Sequence, residues 1–164
     1  VLEAVGVDNV ELRQGDVSDL RDGGLGEFDY VVAHGVYAWV PQPVRDDLLR
    51  AIHSHLAADR LGYVSYNANP GGILRRSLRE AGLWFAADAP PGIERAERAR
   101  ELFRFLLENR AGTSDWWGGL LESQVKPLAQ GPVYRLVHDD LGEHWAPVWF
   151  AAFAEHAAAS GLAR

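Results

Sequence analysis

Phe28–Pro41, FDYVVAHGVYAWVP, is the stretch from which the fold can be read. Phe28 to Ala33 is an apolar run interrupted only by Asp29 and the hydroxyl of Tyr30. Its β-branched and aromatic content predicts a strand buried on both faces, as in a parallel sheet. The run stops at His34-Gly35, and Tyr37 and Trp39 follow before Pro41 closes the segment. In open α/β sheets, ligands bind beyond the carboxyl ends of the strands. A strand ending in a histidine, a glycine and two large aromatics can therefore be the floor of a ligand site. The competing interpretation is that Tyr37 and Trp39 simply pack beneath the next helix.

On the far side of this stretch, Pro41-Gln42-Pro43 starts a helix with proline in its first turn. Val44, Leu48, Leu49, Ile52 and Leu56 recur at helical spacing, with Arg45, Asp46, Asp47 and Arg50 on the other side. Ala57 to Arg60 is expected to turn the chain, and Leu61 to Tyr66 to form a second strand ended by Asn67–Gly72. Strand, helix, strand at this spacing predicts a parallel crossover. On the near side, Val1 to Gly6 has the look of a helix tail, and Val10-Glu11-Leu12 alternates into a short strand. Asp16 to Leu20 follows at that strand's end. The connection from Arg21 to Glu27 is glycine-rich, but it precedes a strand, whereas a phosphate-cradling loop leaves one.

From Gly72 the pattern becomes helical. Helices are expected at Ile73–Trp84, Ile93–Asn109 (with Glu94–Arg98 and Glu97–Arg100 as exposed pairs), Asp115–Leu128 stopped by Pro127, and Trp145–Ser160 closed by Gly161. Gly112 to Ser114 ends the second of these, and Pro132 to Val137 is a short apolar run.

Composition removes several function classes. A net charge of −7 argues against a nucleic-acid backbone as main partner. No apolar window is long enough to span a bilayer, and no signal peptide is expected from the mixed first residues. The absence of cysteine excludes disulfides and thiolate metal sites and fits the cytoplasm. No metal is expected: His53 and His55 diverge on their helix, and His138 and His144 have no recognised ligand spacing. No GxSxG elbow surrounds Ser65. The chain has no methionine and begins with Val1, so a fragment of a longer protein is expected.

Asp16-Val17 at a strand end has two uses. The carboxylate can accept from the exocyclic amine of adenine while the next N–H reaches a ring nitrogen, or it can cap a helix, as Ser18 and Asp19 also could. Of the enzymes that use such a pair, short-chain dehydrogenases also need Tyr-x-x-x-Lys. The single lysine, Lys126, has Glu122 in that place.

VELRQGDVSDL, FDYVVAHGVYAWVP and LGYVSYNANPGG together resemble the later half of a class I S-adenosylmethionine-dependent methyltransferase. More narrowly, they resemble the bacterial group that carries a methyltransferase regulatory domain and is related to protein-lysine methyltransferases. VYRLVHDDLGEHWAPVWFAAFAEHAAASGL resembles that group's continuation. The resemblance implies that Asp16 and Val17 contact the cofactor's adenine, and that His34, Gly35 and Val36 border its sulfonium and adenosyl parts. Tyr37, Trp39, Tyr66 and Asn67 would wall the acceptor side, with Tyr37 or His34 taking a proton. The family's glycine-rich cofactor loop and its ribose-binding acid would lie upstream of Val1. Gly72 stands where related sequences carry an aromatic.

The fold expected is α/β: the later strands of a partial Rossmann-like class I methyltransferase sheet, then a mainly helical segment. Residues 1–71 would be the end of the catalytic core and 72–143 a helical lid or acceptor-recognition insertion. Residues 144–164 would return to the core or open the regulatory domain. The cofactor would be S-adenosyl-L-methionine, and the acceptor a protein lysine or a small molecule. The alternative is a catalytically silent module of the same fold. The tryptophans at 84, 116, 117, 145 and 149 suit either a protein interface or core packing.

Overall fold

The computed structural model describes residues 6–109 and 116–162. The expected helix tail before Gly6, the Gly112–Ser114 stop and the side chain of Trp117 lie outside the described residues. The chain is α/β: a parallel pair of strands followed by helices.

Strand β1 (Phe28–Ala33) and strand β2 (Leu56–Val64) run parallel, joined by helix α1 (Gln42–His55). Pro41 caps α1 and Pro43 lies in its first turn. The expected turn at Ala57–Arg60 is present as an irregularity within β2. Phe28 partners Leu56 while Tyr30 partners Leu61, so the intervening residues bulge, Asp59 adopts φ 59°, and Arg60 pairs with Asp29 at 2.6 Å. Leu56 belongs to this strand, one residue beyond the helix expected to hold it.

Two strand expectations are corrected. Val31, Ala33 and Val64 pack with Leu48, Leu49 and Ile52 of α1, burying one face of the sheet. On the other face Tyr30, Val32, Leu61 and Tyr63 are exposed, so β1 is not buried on both faces. A second cover is what an interior strand requires, and none lies there among the described residues. Likewise, residues 10–14 form no strand, because no neighbour supplies ladder bonds; Val10 and Leu12 are exposed. After them a 3₁₀ turn, Val17–Leu20, packs on α1, with Ser54 Oγ donating to the Leu20 carbonyl at 3.2 Å.

Helices α2 (Gly72–Phe85), α3 (Ile93–Glu108) and α4 (Trp116–Gln130) follow. They bury a second core around Phe103, Val125, Leu128 and Leu136, separate from the cluster beneath the sheet. Pro127 lies within α4 rather than ending it. Having no N–H, it cannot donate to the Ser123 carbonyl one turn back, but its own carbonyl still accepts from Gly131 N–H at 2.9 Å. On α3, Arg98 pairs with Glu101 and lies over the Phe85 ring at 4.6 Å, not with Glu94. Arg100, expected on the surface, is buried, bonded to Glu97 at 3.0 Å and to the Gly131 carbonyl at 3.0 Å.

The run after Pro132 is a short helix, α5 (Val133–Arg135), continuing into a π-turn (Leu136–Asp140). Helix α6 spans Phe150–Ala159, five residues shorter at its start than Trp145 would give. Pro147 is the reason: it disfavours helix at the residue before it and donates no bond. Residues 145–149 instead run extended across the sheet's end. Ala146 N–H bonds Ala38 O at 2.9 Å, Val148 N–H bonds Asn67 O at 2.9 Å, and Asn69 N–H bonds Val148 O at 3.0 Å.

Candidate functional site

Because β1 and β2 are parallel, their carboxyl ends open on one edge, and the segments His34–Trp39 and Ser65–Asn67 meet there. Gly35, at φ 68°, makes the turn out of β1, a conformation that a side chain would strain. Its N–H donates to Ser65 Oγ at 2.8 Å, and Ser65 Oγ lies 2.9 Å from His34 Nδ1. The hydroxyl thus ties the two strand ends together and leaves His34 Nε2 as the outward ring nitrogen. The ring itself is exposed and stacks near Tyr63 at 6.3 Å. Val36 is also exposed.

Tyr37 points the other way. It is only 2% exposed, with Tyr66 and Phe153 rings at 5.7 and 5.2 Å and the Arg45 guanidinium 5.2 Å over its face. A buried phenol needs a partner, and His156 Nδ1 of α6 supplies it at 2.7 Å. His156 Nε2 lies 3.0 Å from Asp46 Oδ1, which also accepts from Gln42 Nε2 at 2.8 Å. Burial pushes the Tyr37 hydroxyl above the ordinary phenol range, against the opposing pull of Arg45. Burial raises Tyr66 as well.

Residues 145–153 cover the other positions expected on the acceptor side. Trp39 faces Trp145 at 6.0 Å, Asn67 Oδ1 accepts from Trp145 Nε1 at 3.4 Å, and Tyr66 packs on Phe153 at 4.5 Å. Gly72 is buried, and a β-carbon there would run into the Pro147 ring, so this chain has no room for an aromatic at that position.

Asp16 caps the Val17–Leu20 turn in a reciprocal box with Asp19. Its Oδ1 takes both the N–H and the hydroxyl of Ser18, at 2.9 and 2.8 Å, and these bonds hold the carboxyl below its usual range. Among the described residues none hydrogen-bonds to Oδ2. Asp16 and Val17 line a cleft of about 780 Å³ with Leu20, Leu25 and Phe28 on its apolar side. That cleft does not reach His34, Tyr37, Trp39, Tyr66 or Asn67. Among the described residues that line the cleft, Val17 also packs against the cluster containing Tyr37 and Tyr66.

Among the described residues no three His, Asp or Glu side chains are grouped to hold a metal, and no helix is long and apolar enough to cross a membrane. His55 is a satisfied core residue: Nδ1 bonds Ala51 O at 2.8 Å and Nε2 accepts from Leu25 N–H at 3.3 Å. Trp84, Trp116 and Trp149 are exposed, whereas Trp145 is buried. Sequence does not single out His156 or Asp46, and Ser65 enters it only as a nucleophile that is set aside. No short-range pattern marks them, because Tyr37 and His156 stand 119 positions apart.

No protein-family model matches the chain. The uncharacterized protein RP789 of Rickettsia prowazekii (strain Madrid E) is 29% identical over 156 residues, covering 95% of this chain and 28% of that protein. The uncharacterized protein RP028 of the same strain is 26% identical over 151 residues, or 92% of this chain and 60% of that one. Among solved structures, PKMT2 from Rickettsia typhi in complex with AdoHcy superposes at a TM-score of 0.78 with 28% identity, over 97% of this chain and 30% of PKMT2. The chain therefore spans less than two thirds of the length of each of these proteins.

Proposed function

We propose that this chain is the later part of an S-adenosylmethionine-dependent protein-lysine methyltransferase core together with its helical acceptor-side segment. One observation carries the proposal: nearly the whole chain follows a segment of PKMT2, whose structure holds AdoHcy. Residues 1–71 would be the cofactor-side strands, 72–143 the acceptor-side insertion and 144–164 the return to the strand layer.

The residues present fit the cofactor. Asp16 keeps one carboxylate oxygen open for an exocyclic amine, and its low pKa keeps it an acceptor. Val17 opens its helical turn, so its N–H is spare for a ring nitrogen. Leu20, Leu25 and Phe28 offer an apolar wall in a cleft of about 780 Å³, within the size range of small-molecule sites. S-adenosylmethionine would supply an electrophilic methyl group on a sulfonium, and in-line transfer gains chiefly from positioning. Gly35 and Val36 would border the sulfonium end, where aromatic faces such as Tyr63 favour positive charge. Of the two proton acceptors expected from sequence, His34 offers a free Nε2 at the surface, whereas the Tyr37 hydroxyl is already committed to His156.

Calorimetry with S-adenosylhomocysteine on the full-length protein tests this proposal. Binding is expected, weakened about tenfold by Asp16→Ala through loss of a charged hydrogen bond. No binding by the full-length protein would refute the cofactor assignment. The 164 residues alone should bind poorly, because the Asp16 cleft and the His34 end do not share one cavity.

A further inference from the structure

A line of three side chains runs from the strand-end loop into the last helix, with Tyr37 buried and His156 and Asp46 progressively more exposed. Tyr37 follows β1, Asp46 lies in α1 and His156 in α6. With a neutral imidazole, one arrangement of the hydrogen bonds satisfies all three groups. Asp46 as a carboxylate can only accept, so the imidazole nitrogen 3.0 Å away, Nε2, carries the proton and donates to it. In the neutral ring, Nδ1 is then the acceptor, and the Tyr37 hydroxyl at 2.7 Å must be the donor. Gln42 Nε2 donates to Asp46 at 2.8 Å and steadies the carboxylate. The elevated phenol pKa agrees with a hydroxyl that keeps its proton.

Tyr37 is one residue beyond Val36 and two beyond Gly35, which the proposed function places at the cofactor's sulfonium end. Gly35 has φ 68° and makes no van der Waals contact where a side chain would stand, so little else restrains that turn on its outer side. Its restraints are the Ser65 hydroxyl on one side and, on the other, the Trp39 N–H bond to the Val36 carbonyl at 2.8 Å together with the anchored Tyr37 ring.

Resting on the cofactor reading above, we propose that His156 and Asp46 are positioning residues. By holding Tyr37 as a committed donor they fix the Gly35–Val36 backbone, so helix α6, more than a hundred residues downstream, sets the affinity for the cofactor's sulfonium end. Neither residue touches the cofactor; both act through Tyr37.

The test uses the full-length protein, with S-adenosylhomocysteine binding by calorimetry and thermal midpoint read in parallel. Tyr37→Phe and His156→Phe should each weaken binding about fivefold, the worth of one buried hydrogen bond. The double variant should be no weaker than either single one, because both remove the same link. His156→Asn, whose side-chain oxygen stands near the place of Nδ1, should restore most of the affinity. Asp46→Ala should give a smaller loss, since it frees the imidazole tautomer without removing it. A merely structural role would lower the midpoint without the Asn rescue or the non-additivity. Variants that bind like the wild type, or losses that multiply in the double variant, would overturn the positioning role while leaving the cofactor assignment standing. A wild-type protein that does not bind S-adenosylhomocysteine would overturn both.

Discussion

Gly82 shows how much a single β-carbon can decide. Placed in α2, such an atom would lie 2.8 Å from Phe103 Cζ and 3.5 Å from Ala99 Cβ. Alanine is a better helix former than glycine by about 1 kcal/mol, but here it must displace a fully buried ring, at a cost of about 1–3 kcal/mol. We expect Gly82→Ala to lower the urea midpoint at unchanged m-value. Phe103→Ala, which empties the centre of the same core, should cost about 3–5 kcal/mol. Tyr37 makes a different prediction, on pH. Its folded pKa is raised by burial, so the folded state holds the proton after the unfolded phenol, at about 10, has released it. Its contribution to stability is whole below that value and is lost as pH climbs through the raised folded one. Tyr37→Phe should reduce this alkaline loss in pH-dependent denaturation without abolishing it, since Tyr66 is raised as well. The aromatics of FDYVVAHGVYAWVP were visible in sequence as candidates for either core or site. Only the fold shows that Tyr37 turns inward and His34 outward, because that choice depends on Phe153 and His156 arriving from α6.

Elements whose cause is local were the ones sequence revealed well. Helices α2 and α3 begin and end within a residue or so of the expected bounds, set by apolar spacing and the Pro91-Gly92 break. Those whose cause lies elsewhere were not. The extended segment 145–149 depends on carbonyls of Ala38 and Asn67, and the open face of the sheet on which elements fail to cover it. The hold between α2 and the π-turn is likewise long-range: Arg75 Nε donates to Asp140 Oδ1 at 3.0 Å, with the carboxylate buried and the Trp145 ring 5.7 Å from the guanidinium. Asp140→Ala leaves that guanidinium without its counter-charge in a largely enclosed place and should cost about 3–5 kcal/mol in chemical denaturation. Replacing both, as Arg75→Met with Asp140→Leu, should recover most of the loss, since buried ion pairs give way to apolar packing at little net cost.

At the scale of the molecule, residues 140–149 run between two buried clusters: Asp140 and the Gly142 carbonyl are held to α2 by Arg75 and by Arg79 at 2.6 Å, and Trp145 reaches Asn67 at the strand end. The α/β class was legible because a parallel crossover follows from strand, helix and strand spacing alone. The cleft beside Asp16 was legible only as a pair of residue types, since its walls come from several turns. The sheet itself has a further consequence. Among the described residues it has two members, so β1 offers its outer rim of amides and carbonyls beside an open face of Tyr30 and Val32 from β1 and Leu61 and Tyr63 from β2. A rim like this recruits any extended polypeptide that meets it. The 164 residues produced alone should therefore self-associate as concentration rises, with light scattering as the measure, and Val32→Lys should keep them dispersed. Solubility would then be governed by one strand margin rather than by the acidic surface, whose net charge of −7 would otherwise keep copies apart.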